Sequence, residues 1–178
     1  MEENQQRDKN EPLKIEIAMP THAYFLSGIR DFTLTLIKNT TDFSDQWAFR
    51  FQSIVDELCS NAIEFGAKRG DIIKITYIYN PNDSIEVYVE DPGTGLGNMK
   101  AADIKKRVDE KSGKEFSLHE IRGRGLPMIV KQWTDELDFT DSPQGGIIVR
   151  VKKSLTDVKT KELKQDLSLA GDSTHIVI

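Results

Sequence analysis

Apolar residues recur along the chain with two periods, which predict strands and helices in a definite order. Over residues 13–19 every second residue is apolar, as is typical of a half-buried strand. Residues 22–38 and 45–65 carry apolar residues three and four positions apart, which predicts two amphipathic helices. Thr21 is the predicted N-cap of the first helix and Ser44 or Asp45 that of the second, and Gly66 is expected to end the second.

The rest of the chain predicts four more strands around a long connection. The sequence predicts a β-hairpin, with strands over residues 72–79 and 85–90 and an Asn-Pro-Asn-Asp turn at 80–83. Residues 91–122 contain few large apolar residues and four glycines, which is typical of a functional lid or a disordered segment. A helix over 126–133 and strands over 136–140 and 146–151 follow. This order predicts an α+β two-layer sandwich, a mixed β-sheet with helices on one face.

Length and composition fit one globular domain. Of the 178 residues we expect 1–12 to form a disordered lead, 13–153 the domain and 154–178 a polar tail. The net charge of -5 argues against direct nucleic-acid binding, and no apolar run approaches the roughly 18 residues that a membrane span requires. With Cys59 as its one cysteine the chain cannot form an internal disulfide, and with no apolar leader it is expected to be cytoplasmic.

The second predicted helix carries Glu57 and Asn61 four residues apart, so that both side chains lie on one face. In a cleft, the amide oxygen of Asn61 could bind Mg²⁺, which prefers oxygen ligands. Glu57 would then lie close enough to accept a proton from a hydroxyl or a water attacking a phosphate. Taken alone, the pair is more typical of a surface helix on which Glu57 is solvated and Asn61 forms a local hydrogen bond.

Asp91 follows the strand over 85–90 and opens the segment Asp-Pro-Gly-Thr-Gly. A carboxylate at a strand end can accept from the exocyclic amine of adenine. Gly93 and Gly95 lack a Cβ, so the backbone there can approach a ligand closely. An ordinary β-turn is the alternative, because Asp-Pro-Gly is common turn chemistry.

The third motif is Gly-Arg-Gly-Leu over residues 123–126, ahead of a predicted helix. Free N–H groups at a helix N-terminus favour phosphate, and Arg122 and Arg124 add positive charge for the β- or γ-phosphate. A flexible loop with exposed arginines is the alternative. The three motifs together indicate a nucleotide site with Mg-ATP as the ligand, although the chain contains no P-loop and no dinucleotide fingerprint.

These motifs resemble the N-box, G1 box and G2 box of the GHKL superfamily, whose ATP site is the Bergerat fold. The match spans about residues 13–153, and the short single-domain form with Gly-Arg-Gly-Leu is similar to the bacterial anti-sigma-factor serine/threonine kinases. Two positions differ from the family pattern. Phe65 stands where histidine or tyrosine is frequent, and Ile147 follows Gly145-Gly146 where threonine is frequent.

The resemblance implies a role for each motif residue. Glu57 would be the catalytic base, Asn61 the Mg²⁺ ligand and Asp91 the adenine-binding acid, with residues 96–122 as the ATP lid. The glycines of the second motif would line the base, and the third motif would bind the phosphates; these nucleotide-binding residues are Gly93, Gly95, Arg122, Gly123, Arg124, Gly125 and Leu126.

Kinases of the resembled branch phosphorylate an anti-anti-sigma protein and sequester a sigma factor, so these are the expected partners. A homodimer is a further expectation, although Phe25, Ile29 and Phe32 on the first helix could equally be core. Two other readings remain open: a partner-sequestering module of the same fold without catalysis, and the ATP domain of a histidine kinase. The second lacks support, since too few residues precede Leu13 for a phospho-acceptor helix pair.

Overall fold

The computed structural model describes residues 11–95, 99–111, 133–156 and 158, and only the backbone of 107–111. These residues form five strands, three α-helices, a 3₁₀ turn at Ala23–Phe25 and a π-helical turn at Ala62–Gly66. The strands are β1 (Leu13–Pro20), β2 (Ile72–Asn80), β3 (Ser84–Glu90), β4 (Glu136–Asp141) and β5 (Ile147–Ser154). The helices are α1 (Leu26–Thr40), α2 (Asp45–Asn61) and α3 (Ala101–Lys111).

The α+β two-layer class is confirmed, but the prediction of a mixed sheet is wrong. The strand order is β1-β2-β3-β5-β4, and all four neighbouring pairs are antiparallel. Helices α1 and α2 lie between β1 and β2 in the chain. They bring the chain back to the same edge of the sheet, where β2 pairs antiparallel to β1. Strands β3 and β4 do run in the same direction, but β5 lies between them, so no parallel pair forms.

The hydrophobic core lies between one face of the sheet and the pair α1–α2. Alternate residues of β2 and β3 point into it, and these include Ile73, Ile75, Tyr77, Val87 and Val89. The periodic face of α2 covers them, as predicted from its spacing: Trp47, Phe51, Ile54 and Leu58 are all buried. This packing fixes α2 over the sheet, and thereby places the end of α2 near the end of β3.

Several boundaries differ from the prediction. The first helix begins as a 3₁₀ turn capped by the side chain of His22, whose Nδ1 accepts from the Tyr24 N–H at 3.2 Å. Thr21 is therefore not the N-cap; its hydroxyl donates to backbone oxygens 47 and 50 residues away in sequence. Helix α3 lies inside the segment predicted to be a lid, for which the sequence pattern predicts no helix.

The packed core continues past residue 153. Leu155 and Val158 are 1% and 2% exposed, and the Leu155 N–H donates to the Asp83 carbonyl at 2.8 Å. On α1, Ile29 is buried and Phe32 packs against Tyr77, whereas Phe25, on the preceding 3₁₀ turn, is 43% exposed. No helix in the described part of the chain is long and apolar enough to cross a membrane.

Candidate functional site

Asp91 lies directly after β3, where the pairing with β5 continues for one more residue. The Asp91 N–H donates to the Ile147 carbonyl at 3.1 Å, and the Ile147 N–H donates to Asp91 Oδ2 at 3.3 Å. The Gly93 N–H donates to Asp91 Oδ1 at 2.8 Å. Asp91 as a whole is 8% exposed, and its carboxylate forms no ion pair with any described residue.

Burial is the main cause of the raised pKa of Asp91, and the negative charge of Glu90 adds to it. The two backbone N–H donors, from Gly93 and Ile147, partly oppose this shift. A carboxylate oxygen has two lone pairs, and each oxygen of Asp91 has one backbone donor among the described residues, so each can accept a further hydrogen bond.

Three glycines from different segments enclose this carboxylate. A Cβ on Gly66 would overlap the carboxyl group of Asp91, and one on Gly146 would overlap its backbone and side chain. Gly93 adopts a φ of 69°, and a Cβ there would overlap the Gly145 backbone. Sequence reasoning selected Gly93 but assigned no site role to Gly66 or Gly146, whose proximity to Asp91 depends on the tertiary fold.

The glycine-rich loop lies directly on the turn that follows α2. The Gly95 N–H donates to the Gly66 carbonyl at 3.3 Å, and a Cβ on Gly95 would overlap the backbone of Phe65 and Ala67. The π-helical turn Ala62–Gly66 thus joins the helix of Glu57 and Asn61 to the loop that follows Asp91. The first two predicted motifs are therefore connected through directly packed backbone.

Glu57 and Asn61 lie on the last turn of α2 and interact with each other. The amide nitrogen of Asn61 donates to Glu57 Oε1 at 2.8 Å and to the Glu57 carbonyl at 2.7 Å. Because both neighbours are acceptors, the amide must present its NH₂ group to them, which leaves Oδ1 as the atom of this side chain that could bind a cation. The same contact orients the carboxylate of Glu57, and both side chains are half-buried.

A family model described as the histidine kinase-like ATPase domain matches residues 22–153, well over half of the chain. The chain belongs to this family. No curated protein matches it. The histidine kinase-like domain is an ATP-binding domain, and the connected segments around Asp91 and Asn61 lie within the matched residues.

The donor and acceptor chemistry of Asp91 and Asn61 is compatible with an adenine amine and a phosphate-bound cation, respectively. Asp91 offers a buried acceptor that can bind the exocyclic amine of adenine. Guanine has a carbonyl oxygen in the place of that amine, and this oxygen cannot donate to Asp91. Asn61 offers one hard oxygen, and no group of three or more His, Cys, Asp or Glu side chains in the described part of the chain could hold a metal. A divalent cation at Asn61 would therefore need phosphate oxygens as further ligands, as is usual for Mg²⁺.

The predicted phosphate-binding residues cannot be placed in this geometry. Arg122, Gly123, Arg124, Gly125 and Leu126 lie outside the described residues, as does about half of the predicted lid, namely 96–98 and 112–122. Of the predicted helix over 126–133, only Trp133 is described, and it is helical.

Ile147 stands at the position where threonine is frequent in this family, and its side chain is surrounded by apolar residues. Ile147 is buried with Ala101 of α3 and Phe139 of β4, and Ile104 packs against the same cluster. The Ala101 N–H donates to Asp141 Oδ1 at 3.0 Å, which fixes the first turn of α3 beside the ends of β4 and β5. The side chain of Ile147 thus packs against α3, and its backbone N–H binds Asp91.

Proposed function

We propose that this histidine kinase-like domain is a protein serine/threonine kinase of the anti-sigma-factor type. It binds Mg-ATP, phosphorylates an anti-anti-sigma protein and sequesters a sigma factor in the cytoplasm. The observation that carries the proposal is the hydrogen bond from Asn61 to Glu57 Oε1, which orients a carboxylate one helical turn from an available amide oxygen.

The chain's own residues would act as follows. Glu57 accepts the proton of the substrate hydroxyl as the hydroxyl oxygen bonds to the γ-phosphorus, the bond to the bridging oxygen breaks and ADP leaves. Asn61 would provide one oxygen ligand to Mg²⁺, which would neutralise phosphate charge, and Asp91 would accept from the adenine amine. Phosphoryl transfer requires mainly positioning and charge neutralisation from a protein, so one oriented base and one metal ligand are a sufficient set at this end of the site.

Replacing Glu57 tests this role. Glu57→Gln keeps an acceptor for Asn61 but removes the base, so we expect transfer to fall about 10²–10⁴-fold with ATP affinity unchanged. Transfer is measured with γ-labelled ATP and an anti-anti-sigma protein, and affinity by calorimetry with and without Mg²⁺. Glu64→Gln, at an exposed glutamate two turns further along, is the control and should transfer normally.

The chemistry of the labelled product distinguishes the kinase classes. A phosphoserine or phosphothreonine ester survives acid, whereas phosphohistidine does not, so acid-labile label would place the protein with the histidine kinases. Full transfer by Glu57→Gln would show that another group removes the proton.

A partner-sequestering module without catalysis is the second candidate. Burial of the Ile147 side chain in the apolar cluster favours it, because a threonine hydroxyl is absent near the expected adenine position. Partner binding that is the same with and without nucleotide, together with no transfer by the unmodified protein, would support this candidate against the kinase.

A further inference from the structure

Thr94 stands between the two glycines of the loop after Asp91, and its side chain is held by residues from a different segment. Its hydroxyl donates to Asp71 Oδ2. The Lys68 N–H donates both to Asp71 Oδ2 at 2.8 Å and to Thr94 Oγ1 at 3.2 Å. Each pair among the Lys68 amide, the Thr94 hydroxyl and the Asp71 carboxylate is therefore joined by a hydrogen bond.

The turn that supplies Lys68 and Asp71 is itself fixed to the end of β1. The buried Thr21 hydroxyl lies 2.6 Å from the Lys68 carbonyl oxygen, and the Thr21 N–H donates to the Asp71 carbonyl at 2.9 Å. Asp71 also donates its N–H to the Lys68 carbonyl at 3.1 Å. The carboxylate that accepts from Thr94 is thus attached to the sheet rather than to a free loop.

The loop itself needs an external attachment. Gly93 and Gly95 flank Thr94, and glycine loses more conformational freedom on ordering than any other residue. The Gly95 N–H to Gly66 carbonyl contact, at 3.3 Å, is long for a backbone hydrogen bond. The Thr94 side chain, which contacts the turn 68–71, is therefore the strongest described attachment of this loop to the segment between α2 and β2.

We propose that Thr94 and Asp71 are positioning residues for ATP: their contact holds the loop 93–95 in the conformation that binds the nucleotide. Gly93 donates to Asp91, so a loop that is free to move would also release one of the two backbone donors of that carboxylate. The inference rests on ATP binding, which the family establishes, and not on the protein kinase activity proposed above.

The effect expected is a loss of nucleotide affinity and not only of stability. A group that must be ordered on binding costs affinity, and ordering one short loop corresponds to a weakening between about threefold and tenfold. The hydroxyl of Thr94 is the group responsible, because Asp71 accepts from it directly.

The test compares ATP dissociation constants, measured by calorimetry, and melting temperatures for three variants. Thr94→Val keeps the shape of the side chain and removes its hydroxyl, and should weaken ATP binding about threefold to tenfold. Thr94→Ser restores the hydroxyl and should bind ATP as the unmodified protein does. Thr40→Val removes a comparable hydroxyl, which donates to the Leu36 carbonyl at 2.7 Å on α1, and should leave ATP affinity unchanged.

A double-mutant cycle with Asp71→Ala separates positioning from a general loss of structure. If Thr94 acts through Asp71, the combined variant should bind ATP no more weakly than Asp71→Ala alone. A Thr94→Val protein with a lower melting temperature but unchanged ATP affinity would overturn the proposal, and so would additive losses of affinity in the double variant.

Discussion

Phe51 and Asp91 are both enclosed by the protein, but their surroundings hold them in different ways. Phe51 is packed between Phe43 and Trp47, with ring centroids 5.5 Å and 6.2 Å away, and is 0% exposed. Asp91 is instead held by two backbone N–H groups and crowded by glycines. Non-directional apolar contacts stabilise the first region. The second depends on directional hydrogen bonds and on the absence of side chains, so small changes there should affect binding more than folding.

The largest effect is expected in the apolar region. Phe51→Ala would remove a fully buried ring and should lower the free energy of unfolding by about 3–5 kcal/mol. Phe49→Ala, on the same helix but 52% exposed, should cost less than about 1 kcal/mol. Urea denaturation measures both, and equal losses would show that this region is not the core.

Paired glycine substitutions sharpen the comparison at the second region. Gly66→Ala should force the Asp91 carboxyl out of its position. We expect the affinity for ATP to fall at least about tenfold and the free energy of unfolding to fall by about 1–3 kcal/mol. Gly28→Ala, in α1 with open space around the added methyl, should instead stabilise the protein by about 0.5–1 kcal/mol. Calorimetry and thermal melting separate the two effects. Unchanged ATP affinity in Gly66→Ala would show that the position of Asp91 does not matter for binding.

The smallest effect concerns pH. The Thr94 hydroxyl, with the Lys68 N–H, lowers the pKa of Asp71 below its ordinary value of 3.8. An acid with a lowered folded-state pKa stabilises the protein above its ordinary pKa, and this contribution is lost as the pH falls through the folded value. The stability advantage of the unmodified protein over Thr94→Val should therefore be constant near neutrality and shrink below pH 3.8. Thermal melting from pH 6 to pH 3 measures it, and an advantage that grows in acid would contradict the assignment.

The apolar region was largely predictable from the sequence. Burial on one face produces the periodicity of α2 and the alternation of β1, so both elements were found within a few residues of their observed ends. The neighbouring positions of Glu57 and Asn61 were also predictable, because four residues make about one helical turn.

The glycine-rich region was predictable only in part. The motif predicted Asp91 and its glycines, but Gly66, Gly146 and Thr94 reach this carboxylate or its loop through contacts that no local pattern encodes. Thr21 is the clearest case. A threonine before a helix has the local signature of an N-cap, yet its hydroxyl acceptors are on residues 68 and 71. Distant acceptors compete with local ones, and only the folded chain decides between them.

The position of β5 also sets an order of events during synthesis. This strand follows the other four in the chain, yet it pairs with both β3 and β4 inside the sheet. A chain that has emerged from the ribosome only as far as residue 141 has all the residues of β1, β2 and β3 but cannot join β4 to them. It also lacks the Ile147 amide that binds Asp91. Completion of the sheet and completion of the carboxylate's hydrogen bonds are therefore the same late event.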